Sequence, residues 1–502
     1  MYTIGAGVQL EQLLLHISYK SVQGSLIREI TDICYHSGKV KSGSLFICLK
    51  GFRTDGHRYL PDAVARGAAA VVVEEHIAFS PPEGVTVIAV TDTRDALWRL
   101  SAAFFDFPSA KLRMVGITGT KGKTTTAYLA AEILREAGHR VGMIGTVAIE
   151  DGRTVQPAEH TTPEAYEVQK YLAAMVENGC DCCVMEVSSQ GIKMQRVAGI
   201  RYDIGVFLNI EPDHIGKGEH ASFEEYLSCK RALFDQCEIG IFNRDDAHCA
   251  QMSDGHTCKV EYFSADTPTD YRAEREEFSL KHGKLMTRFF LRYGMERIPL
   301  AIQLPGMFNV SNAVAAAAVA LHFRAKPEAL RRGLARARVP GRCENISPSE
   351  DYVLLIDYAH NEMSLKNLLE TLRGFSPKRL VVLFGCGGNR SKLRRSRMGE
   401  AAGRLADVTI LTSDNPRWED AETILDDIEA GIRPTGASYV RIADRREAIS
   451  YAVSMARLGD IVVIAGKGHE GYQEIRGVKY PVSDHELAEA AVAQTAGRKN
   501  YL

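Results

Sequence analysis

Short apolar runs alternate with segments of helical period along most of the chain. The first hundred residues contain the apolar runs SLFICL, AAAVVVEE and VTVIAV, and the last third contains YVLLIDYAH, RLVVLFGCGG, DVTILTSDNP and DIVVIAGKGH. This alternation predicts an α/β protein with largely parallel sheets. Each of the four late runs ends in a polar, glycine-rich or acidic loop. Ligands of open parallel sheets bind beyond such strand ends, so we expect a site there.

Breaks in this pattern predict three domains. Residues 93–107, TRDALWRLSAAFFDF, place apolar side chains at helical spacing and are followed by Pro108, so we interpret them as a helix that leads into a second domain. The strand KLRMVGIT opens that domain, and VPGR at 339–342 precedes a third. We therefore predict domains at 1–92, 93–338 and 339–502. A chain of 502 residues is consistent with that number at roughly 150 residues per domain.

Composition narrows the classes of partner. Lys and Arg number 61 against 63 for Asp and Glu, which leaves a formal net charge of −2 and no bulk electrostatic case for binding nucleic acid or an acidic membrane surface. The apolar stretch at 313–321 is too short to span a bilayer, and the first residues lack the basic start of a secretory signal. We expect a cytoplasmic protein without membrane insertion.

The number and spacing of the eleven cysteines also indicate a cytoplasmic protein. They are odd in number and lack paired CxxC spacing, and Cys180, Cys182 and Cys183 lie in CDCCVMEV, which is typical of a buried strand. Structural zinc sites need paired ligands at other spacings. We interpret the cysteines as reduced thiols, not as zinc ligands.

The strongest local signal is GITGTKGKTTT at 116–126. It follows an apolar strand and precedes the helical segment AYLAAEILREAG, which is the setting of a phosphate-binding loop. The pattern GxxxxGK[ST] is not met because position 117 is Ile, and the match is to the shorter GTxGKT. Lys123 is predicted to reach the β- and γ-phosphates of a nucleotide, and the Thr124 hydroxyl to hold Mg²⁺.

Two further strand ends offer metal ligands. CVMEVSS places Glu186 after an apolar run, and VFLNIEPDH places Asp213 and His214 after another. Carboxylate and imidazole groups suit Mg²⁺ or Mn²⁺. A single histidine at the end of a strand is more often structural, so these positions indicate a metal site only when they are considered together.

Taken in order, eleven motifs resemble the Mur ligases of peptidoglycan synthesis, most closely the branch that adds the third residue of the peptide. They are GTKGKTTT, TTPE, EVSSQ, NIEPDH, YLSCKRALF, PGMFNVSN, VPGRCE, DYAH, FGCGGNR, SDNPR and GKGHE. The resemblance covers nearly the whole chain. It implies an N-terminal domain for a UDP-sugar, a central P-loop ATPase domain and a C-terminal Rossmann-like domain for the incoming amino acid.

The resemblance also implies the chemistry. ATP would phosphorylate the terminal carboxylate of UDP-MurNAc-L-Ala-D-Glu, and the amino group of meso-diaminopimelate would attack the acyl phosphate. The charges of three phosphates and a carboxylate then call for Lys123, Arg342 and two Mg²⁺ ions. Members of the family usually work as monomers.

Site residues follow from the resemblance where the motifs match. Implied ATP contacts are Gly119, Thr120, Lys121, Gly122, Lys123, Thr124, Thr125, Asn309, Arg342 and Asp357. Implied metal ligands are Thr124, Glu186, His214 and Lys230, the last as a carbamate that reverses the charge of the amine. Catalytic roles fall to Lys123, Lys230 and His360, and carrier contacts to Ser37, Thr161, Thr162, Ser188 and Arg196. Read alone, Asn309 could instead cap a helix, and Lys230 could be a surface lysine.

The predicted amino-acid pocket distinguishes diaminopimelate from lysine. Diaminopimelate carries a second carboxylate at its far end, and arginine pairs bidentately with carboxylates. Arg390 and Arg417 supply the guanidinium groups, and Glu470 could pair with the distal ammonium. The implied contacts are Arg390, Asp414, Asn415, Pro416, Arg417, Gly466 and Glu470.

Departures from the family pattern concentrate on the carrier side. The family's DSR triplet is replaced by His36, Ser37 and Gly38, and EVSSH by EVSSQ with Gln190. We favour the usual carrier with shifted contacts. The alternatives are a paralogue that uses L-lysine or an altered carrier, and a non-catalytic homologue; folylpolyglutamate synthesis is disfavoured by the SDNPR and GKGHE loops.

Overall fold

The structure, a computed structural model, describes residues 7–51, 54–77, 79–213, 215–216, 218–346 and 350–499. The chain forms two compact units, Met1–Asp270 with Ala315–Ala325, and Tyr271–Val314 with Lys326–Leu502. No helix among the described residues is long and apolar enough to cross a membrane. β-Sheets and helices alternate along the chain, so the protein belongs to the α/β class, as predicted.

A small sheet lies at the N-terminal end of the first unit. Its strands follow the order Ser21–Gln23, Thr86–Val90, Ala70–Glu74, Ser44–Ile47 and Asp32–Cys34, and all pairs except the first are parallel. Leu45 and Ile47 pack in one core cluster and Phe46 in another, so both faces of the sheet are covered and its inner strands are mostly apolar. A second pair, Val8–Gln9 and Glu29–Ile30, is antiparallel, and the helices are Leu10–Leu14, Leu60–Ala65 and Thr93–Phe104.

The last of these helices is shorter than the sequence predicts. It ends at Phe104, because Asp106 and Phe107 have left-handed φ angles of 56° and 48°. Pro108–Lys111 then forms a 3₁₀ turn before the next strand. The proline therefore begins a new turn and does not cap the helix directly.

The central sheet of the first unit positions the phosphate loop. Its parallel strands follow the order Val141–Ile144, Cys182–Glu186, Arg113–Thr118, Tyr202–Phe207, Cys237–Asn243 and Lys259–Ser264. Ala148–Glu150 and Val155–Pro157 extend it antiparallel at the Val141 edge. The helices here are Lys123–Glu136, Ala165–Glu177, Ser189–Lys193, Phe223–Arg231 and Cys249–Ser253. The first of them ends two residues before Gly138, whose φ of +95° closes the helix as the sequence predicts.

The second unit begins with three strands that the sequence pattern did not predict. Tyr271–Lys281, Lys284–Tyr293 and Glu296–Ile302 form consecutive antiparallel pairs. The helices Met307–His322 and Pro327–Arg336 follow, and the first of these continues into the residues counted with the first unit.

A second parallel sheet carries the four predicted late strands. The order is Glu344–Asn345, Val353–Asp357, Asp460–Ala465, Arg379–Phe384, Val408–Leu411 and Tyr439–Arg441, with only the first pair antiparallel. Its helices are Glu362–Arg373, Lys392–Leu405, Ala421–Ile432, Arg445–Ser454 and Asp484–Lys499, and a hairpin joins Tyr472–Ile475 to Val478–Pro481. Every predicted strand-end loop therefore lies at the carboxyl edge of this sheet.

Candidate active site

The phosphate loop, residues 119–126, connects Arg113–Thr118 to the helix Lys123–Glu136. Gly122 adopts a φ of +86° immediately before the first helical residue, a conformation that favours glycine. Lys123 Nζ donates to the carbonyl oxygens of Gly119 at 2.7 Å and Thr120 at 3.1 Å. The loop thus presents a helix N-terminus and an ammonium group on one side, which together attract an anion.

Asn209 supports this loop from the end of a neighbouring strand. Its Oδ1 accepts from the Lys121 N–H at 2.9 Å, and its Nδ2 donates to the Lys121 carbonyl at 3.0 Å. The Thr120 hydroxyl lies 2.9 Å from the Tyr226 hydroxyl. The loop therefore has its shape set by side chains outside it.

Glu186 is the centre of a buried group of oxygen atoms. Its Oε2 accepts from the hydroxyls of Thr124 at 3.0 Å and Thr146 at 2.9 Å, and its Oε1 accepts from the Thr146 N–H at 2.8 Å. The carboxylate is 1% exposed. A carboxylate beside a hydroxyl offers the hard oxygen ligands that Mg²⁺ prefers, so the residues present fit such an ion. His214, another of the predicted metal ligands, lies outside the described residues.

Lys230 is fully buried, with 1% of its surface exposed. Its Nζ donates to the Gly119 carbonyl at 2.9 Å and lies 4.7 Å from the centre of the Tyr226 ring. Burial lowers the pKa of Lys230 well below 10.5, and the neighbouring Lys123 lowers it further, while Asp213 opposes the shift. The surface-lysine alternative is therefore wrong, and burial favours the neutral form of an amine that lies close to the phosphate loop.

The predicted carrier contacts of the central sheet lie beside Glu186. The Thr161 hydroxyl is 3.0 Å from that of Thr146, and the Thr162 hydroxyl donates to the Glu186 carbonyl at 3.0 Å. The Ser188 N–H donates to Thr162 Oγ1 at 2.9 Å, and Arg196 Nη1 donates to the Thr162 carbonyl at 3.0 Å. These residues form one hydrogen-bonded cluster.

Ser37 has a separate local setting. It opens the 3₁₀ turn Ser37–Lys39, and its hydroxyl bonds to Asp62, which lowers the pKa of that carboxyl. His36 caps the turn, because its Nδ1 accepts from the Gly38 N–H at 3.2 Å. The histidine at the position of the family's aspartate therefore caps this turn.

In the second unit, Arg342 lies on a loop next to the end of the strand Val353–Asp357, where Asp357 is the last residue. Asp357 accepts from the N–H groups of Cys343 at 2.8 Å and Ala359 at 2.8 Å, and so ties the loop to the strand end. The Arg342 guanidinium lies over the Tyr358 ring, 4.5 Å from its centre. Both charged groups are therefore held in place by their own unit.

Asn309 lies inside a helix of the same unit. It is the third residue of Met307–His322, and its Nδ2 donates to the Pro305 carbonyl at 2.7 Å. Because it lies within the helix and not at its N-cap position, the helix-cap alternative for Asn309 is wrong.

The strand-end loops of the second unit enclose a cavity of about 140 Å³. Its lining includes seven sequence-predicted residues, namely His360, Arg390, Asp414, Asn415, Arg417, Gly466 and Glu470. Pro416 is not in that lining; its carbonyl oxygen would lie 1.8 Å from a Cβ at position 388, so only glycine permits the loops 384–390 and 413–417 to approach. The cavity thus gathers guanidinium and carboxylate groups from loops far apart in sequence.

The charged groups of the cavity are oriented by hydrogen bonds. Arg417 Nη1 donates to the Gly388 carbonyl at 2.8 Å, and its Nε lies 3.4 Å from a carboxylate oxygen of Glu474. Glu470 Oε2 accepts from Asn415 Nδ2 at 2.9 Å. Arg390, by contrast, is exposed at the rim. The side chains of Arg417 and Glu470 are therefore held in place by the protein, whereas the exposed side chain of Arg390 can move to meet a ligand.

His360 has a defined tautomer at this cavity. Its Nδ1 donates to the Tyr358 carbonyl at 2.9 Å, because a carbonyl only accepts, and this leaves the lone pair on Nε2. The surrounding protein lowers the pKa of His360 below 6.5, and the charges of Arg394 and Arg342 lower it further. A lowered pKa favours the neutral imidazole, which can accept a proton at Nε2.

Several residues of these sites were not singled out from the sequence. Thr146 follows the strand Val141–Ile144, and its position at a parallel strand end was the available signal. Tyr358 and Lys467 lie within the DYAH and GKGHE motifs, whose other members were chosen. Tyr226 opens the YLSCKRALF motif, of which only Lys230 was chosen, and its role depends on a contact with Thr120 from a distant part of the chain.

Comparisons with known proteins agree with this arrangement. A family model described as "Mur ligase family, catalytic domain" matches residues 29–105, "Mur ligase middle domain" matches 117–320, and "Mur ligase, glutamate ligase domain" matches 341–468. A curated relative, UDP-N-acetylmuramoyl-L-alanyl-D-glutamate–2,6-diaminopimelate ligase of Clostridium perfringens, is 37% identical over 476 residues, which are 93% of this chain and 96% of the relative.

Solved structures show the same similarity. One described as a UDP-N-acetylmuramoyl-L-alanyl-D-glutamate–2,6-diaminopimelate ligase is 30% identical, with a TM-score of 0.69 over 98% of this chain and 99% of its own. MurF ligase of Thermotoga maritima in complex with ADP has a TM-score of 0.62 over 93% of this chain and 98% of its own, at 17% identity, and so shares the fold.

Proposed function

The chain belongs to the Mur ligase family, and we infer from this membership that it is an ATP-dependent ligase that joins meso-diaminopimelate to UDP-MurNAc-L-Ala-D-Glu in peptidoglycan precursor synthesis. Relatives at 37% and 30% identity over most of the chain carry the name of that activity. The presence of Lys123, Glu186 and Lys230 together argues against a non-catalytic homologue, because a binding module has no need of this set.

The observation that carries the choice of amino acid is the charged cavity of the second unit. Arg417 and Arg390 offer guanidinium groups to a carboxylate, and Glu470 offers a carboxylate to an ammonium. Diaminopimelate carries both groups at its far end, whereas lysine carries only the ammonium. Lysine has no distal carboxylate to offer to these guanidinium groups, which disfavours it.

The reaction that we propose has two steps. The γ-phosphoryl group of ATP passes to a carboxylate oxygen of the carrier peptide, so the β–γ P–O bond breaks and ADP leaves. The amino nitrogen of diaminopimelate then forms a bond to the acyl carbon, phosphate leaves, and the nitrogen loses a proton. Chemistry of this kind depends mainly on positioning and charge compensation.

Residues of the phosphate loop and of the cavity have separate parts in these steps. Lys123 and the helix N-terminus behind it would bind the anionic phosphates. His360 would accept the proton of the attacking amine at Nε2. We propose that Thr124 and Glu186 hold one of two Mg²⁺ ions, with His214 and carbamoylated Lys230 serving the other; when bound, such ions offset the phosphate charge.

The remaining carrier and nucleotide contacts are also proposals. Thr161, Thr162, Ser188 and Arg196 form the cluster that we assign to the carrier, together with Ser37. We assign the ATP phosphates and ribose to Arg342, Asp357 and Asn309. We further propose a monomeric, cytoplasmic enzyme with domains at 1–92, 93–338 and 339–502.

The test is phosphate release from ATP with UDP-MurNAc-L-Ala-D-Glu and a panel of amino acids. We expect release to depend on meso-diaminopimelate, and kcat/KM for L-lysine to be lower by at least about a hundredfold, as when a buried charged group loses its partner. Arg417→Met should reduce this ratio, and Lys479→Met, on the exposed hairpin, serves as the control. Equal kcat/KM for the two amino acids would contradict the proposal.

A further inference from the structure

Lys467 is a buried lysine between two predicted amino-acid contacts. It follows the strand Asp460–Ala465 in the GKGHE loop, and 0% of its surface is exposed. Its Nζ donates to Asn415 Oδ1 at 3.2 Å, to Glu470 Oε2 at 3.2 Å and to the Tyr472 carbonyl. A buried ammonium has three donors to satisfy, and each of these has an acceptor here.

These contacts determine how the Asn415 amide is turned. Asn415 Oδ1 accepts from Lys467 and also from the Glu474 N–H at 2.9 Å, so two donors face the same atom. The oxygen must therefore point to them, and the Nδ2 group points to Glu470, to which it donates at 2.9 Å. The orientation of Asn415 at the cavity thus follows from Lys467 and a backbone N–H group.

The Lys467 ammonium also gives the two carboxylate oxygens of Glu470 different hydrogen-bond partners. Oε2 accepts from both Lys467 and Asn415, whereas within the described part of the chain Oε1 accepts a single, longer bond of 3.4 Å from the Tyr358 hydroxyl. Oε1 is therefore the oxygen available to the ammonium of a ligand. Because Lys467 compensates the charge of Glu470, the pair adds no net charge to the pocket.

We propose that Lys467 is a positioning residue that determines specificity for the amino acid: it turns Asn415, directs Glu470 Oε1 into the cavity and prevents the pocket from favouring cationic ligands. This proposal rests on the proposed function, because it concerns the same cavity. Diaminopimelate has two carboxylates and two ammonium groups and is neutral overall, whereas L-lysine carries one net positive charge. Without Lys467, the uncompensated Glu470 would attract lysine more than diaminopimelate.

The experiment compares Lys467→Met with Lys479→Met in the full-length chain. Lys479 is a matched control, because its Nζ lies over the same Tyr472 ring, 4.2 Å from the centre against 5.4 Å for Lys467, but on the exposed hairpin. We expect Lys467→Met to raise KM for diaminopimelate roughly 10- to 100-fold, the range that corresponds to losing a charged hydrogen bond. KM for ATP and for UDP-MurNAc-L-Ala-D-Glu should stay within about twofold, and the preference over lysine should fall.

Two further variants separate positioning from a general loss of structure. Lys467→Arg keeps the charge and donors and should retain most of the affinity for diaminopimelate. In a double-mutant cycle, Lys467→Met should add clearly less than its full effect to Glu470→Gln, because the lysine acts in part through that carboxylate. The Glu470→Gln background also removes the unpaired buried charge, so the cycle remains measurable if the single Lys467→Met variant folds poorly.

Failure of this inference can be distinguished from failure of the proposed function. If the wild-type protein shows no diaminopimelate-dependent phosphate release, the proposed function itself fails. If the wild type is active and Lys467→Met changes all three KM values together, or none, or if its effect adds fully to that of Glu470→Gln, then Lys467 is not the positioning residue and the inference is overturned.

Discussion

Lys230→Met tests whether burial lowers the pKa of the Lys230 amine in the folded protein. The Nζ atom lies 2.9 Å from the Gly119 carbonyl, and the side chain is 1% exposed. Desolvation lowers the pKa of Lys230 well below 10.5, and the charge of Lys123 lowers it further. In the unfolded chain the same lysine is solvated and keeps its proton up to the ordinary pKa of 10.5.

The sign of the effect on stability follows from proton binding. Between the lowered pKa and 10.5, the unfolded state carries one proton more than the folded state. The free energy of unfolding therefore rises with pH, by about 1.4 kcal/mol per pH unit within that window. Below the lowered pKa both states are protonated and the full cost of burying the charge remains. Methionine has no proton to bind, so the variant lacks this contribution.

The assay is urea denaturation of the full-length wild type and of Lys230→Met between about pH 7 and 10, in buffers freed of carbon dioxide. The difference between their unfolding free energies should change with pH in favour of the wild type. Lys170→Met is the matched control, because Lys170 Nζ also lies over a tyrosine ring, 5.9 Å from the centre of Tyr166, but on an exposed side chain. Its difference from the wild type should not vary with pH.

Parallel pH profiles for the wild type and Lys230→Met would refute the reasoning, because they would mean that Lys230 binds the same number of protons in both states. A second measurement concerns the carbamate. A neutral amine adds to carbon dioxide with loss of one proton, so wild-type phosphate release should fall when bicarbonate is removed. Lys230→Ala should lose activity and regain part of it with added short carboxylic acids.

Three further predictions concern other parts of the chain. Glu186→Gln keeps the shape of the side chain but removes its charge, and should reduce the kcat of phosphate release by about 10²- to 10³-fold; unchanged kcat would exclude a role in charge compensation. Arg445→Met should lower the free energy of unfolding by about 3–5 kcal/mol in urea denaturation, because it leaves Asp484 charged and buried; a loss no larger than that of a surface pair would contradict this. His36→Asp with Gly38→Arg should lower KM for UDP-MurNAc-L-Ala-D-Glu, since aspartate can also cap the turn, whereas an unchanged KM would show that these positions do not limit carrier binding.

Local signals were enough to predict the parallel sheets. An apolar run followed by a helical period and a glycine identifies a strand, its crossover helix and the turn between them without any distant contact. The strand Arg113–Thr118, the turn at Gly122 and the helix Lys123–Glu136 were all predicted in this way. The end of the helix Thr93–Phe104 was predicted less well, because the left-handed residues that end it, Asp106 and Phe107, have no distinctive type.

The antiparallel strands from Tyr271 to Ile302 were missed for a physical reason. Their residues are rich in charge, as in YRAEREEFSLK, and only the pairing of neighbouring strands makes their alternate apolar side chains a buried face. A polar segment of this kind is hard to distinguish from a loop when each strand is considered alone.

By itself, the sequence determined which residue types are available and at which strand ends they lie, because strand, turn and phosphate-loop signals are local. Only the tertiary structure decided their chemistry. It buried Lys230 against Gly119, 111 residues away in sequence. It also placed Lys467, which is close to Glu470 in sequence, against Asn415, which is 52 residues away. Desolvation and the orientation of an amide depend on neighbours that packing brings together, and that is why no pattern along the chain contained them.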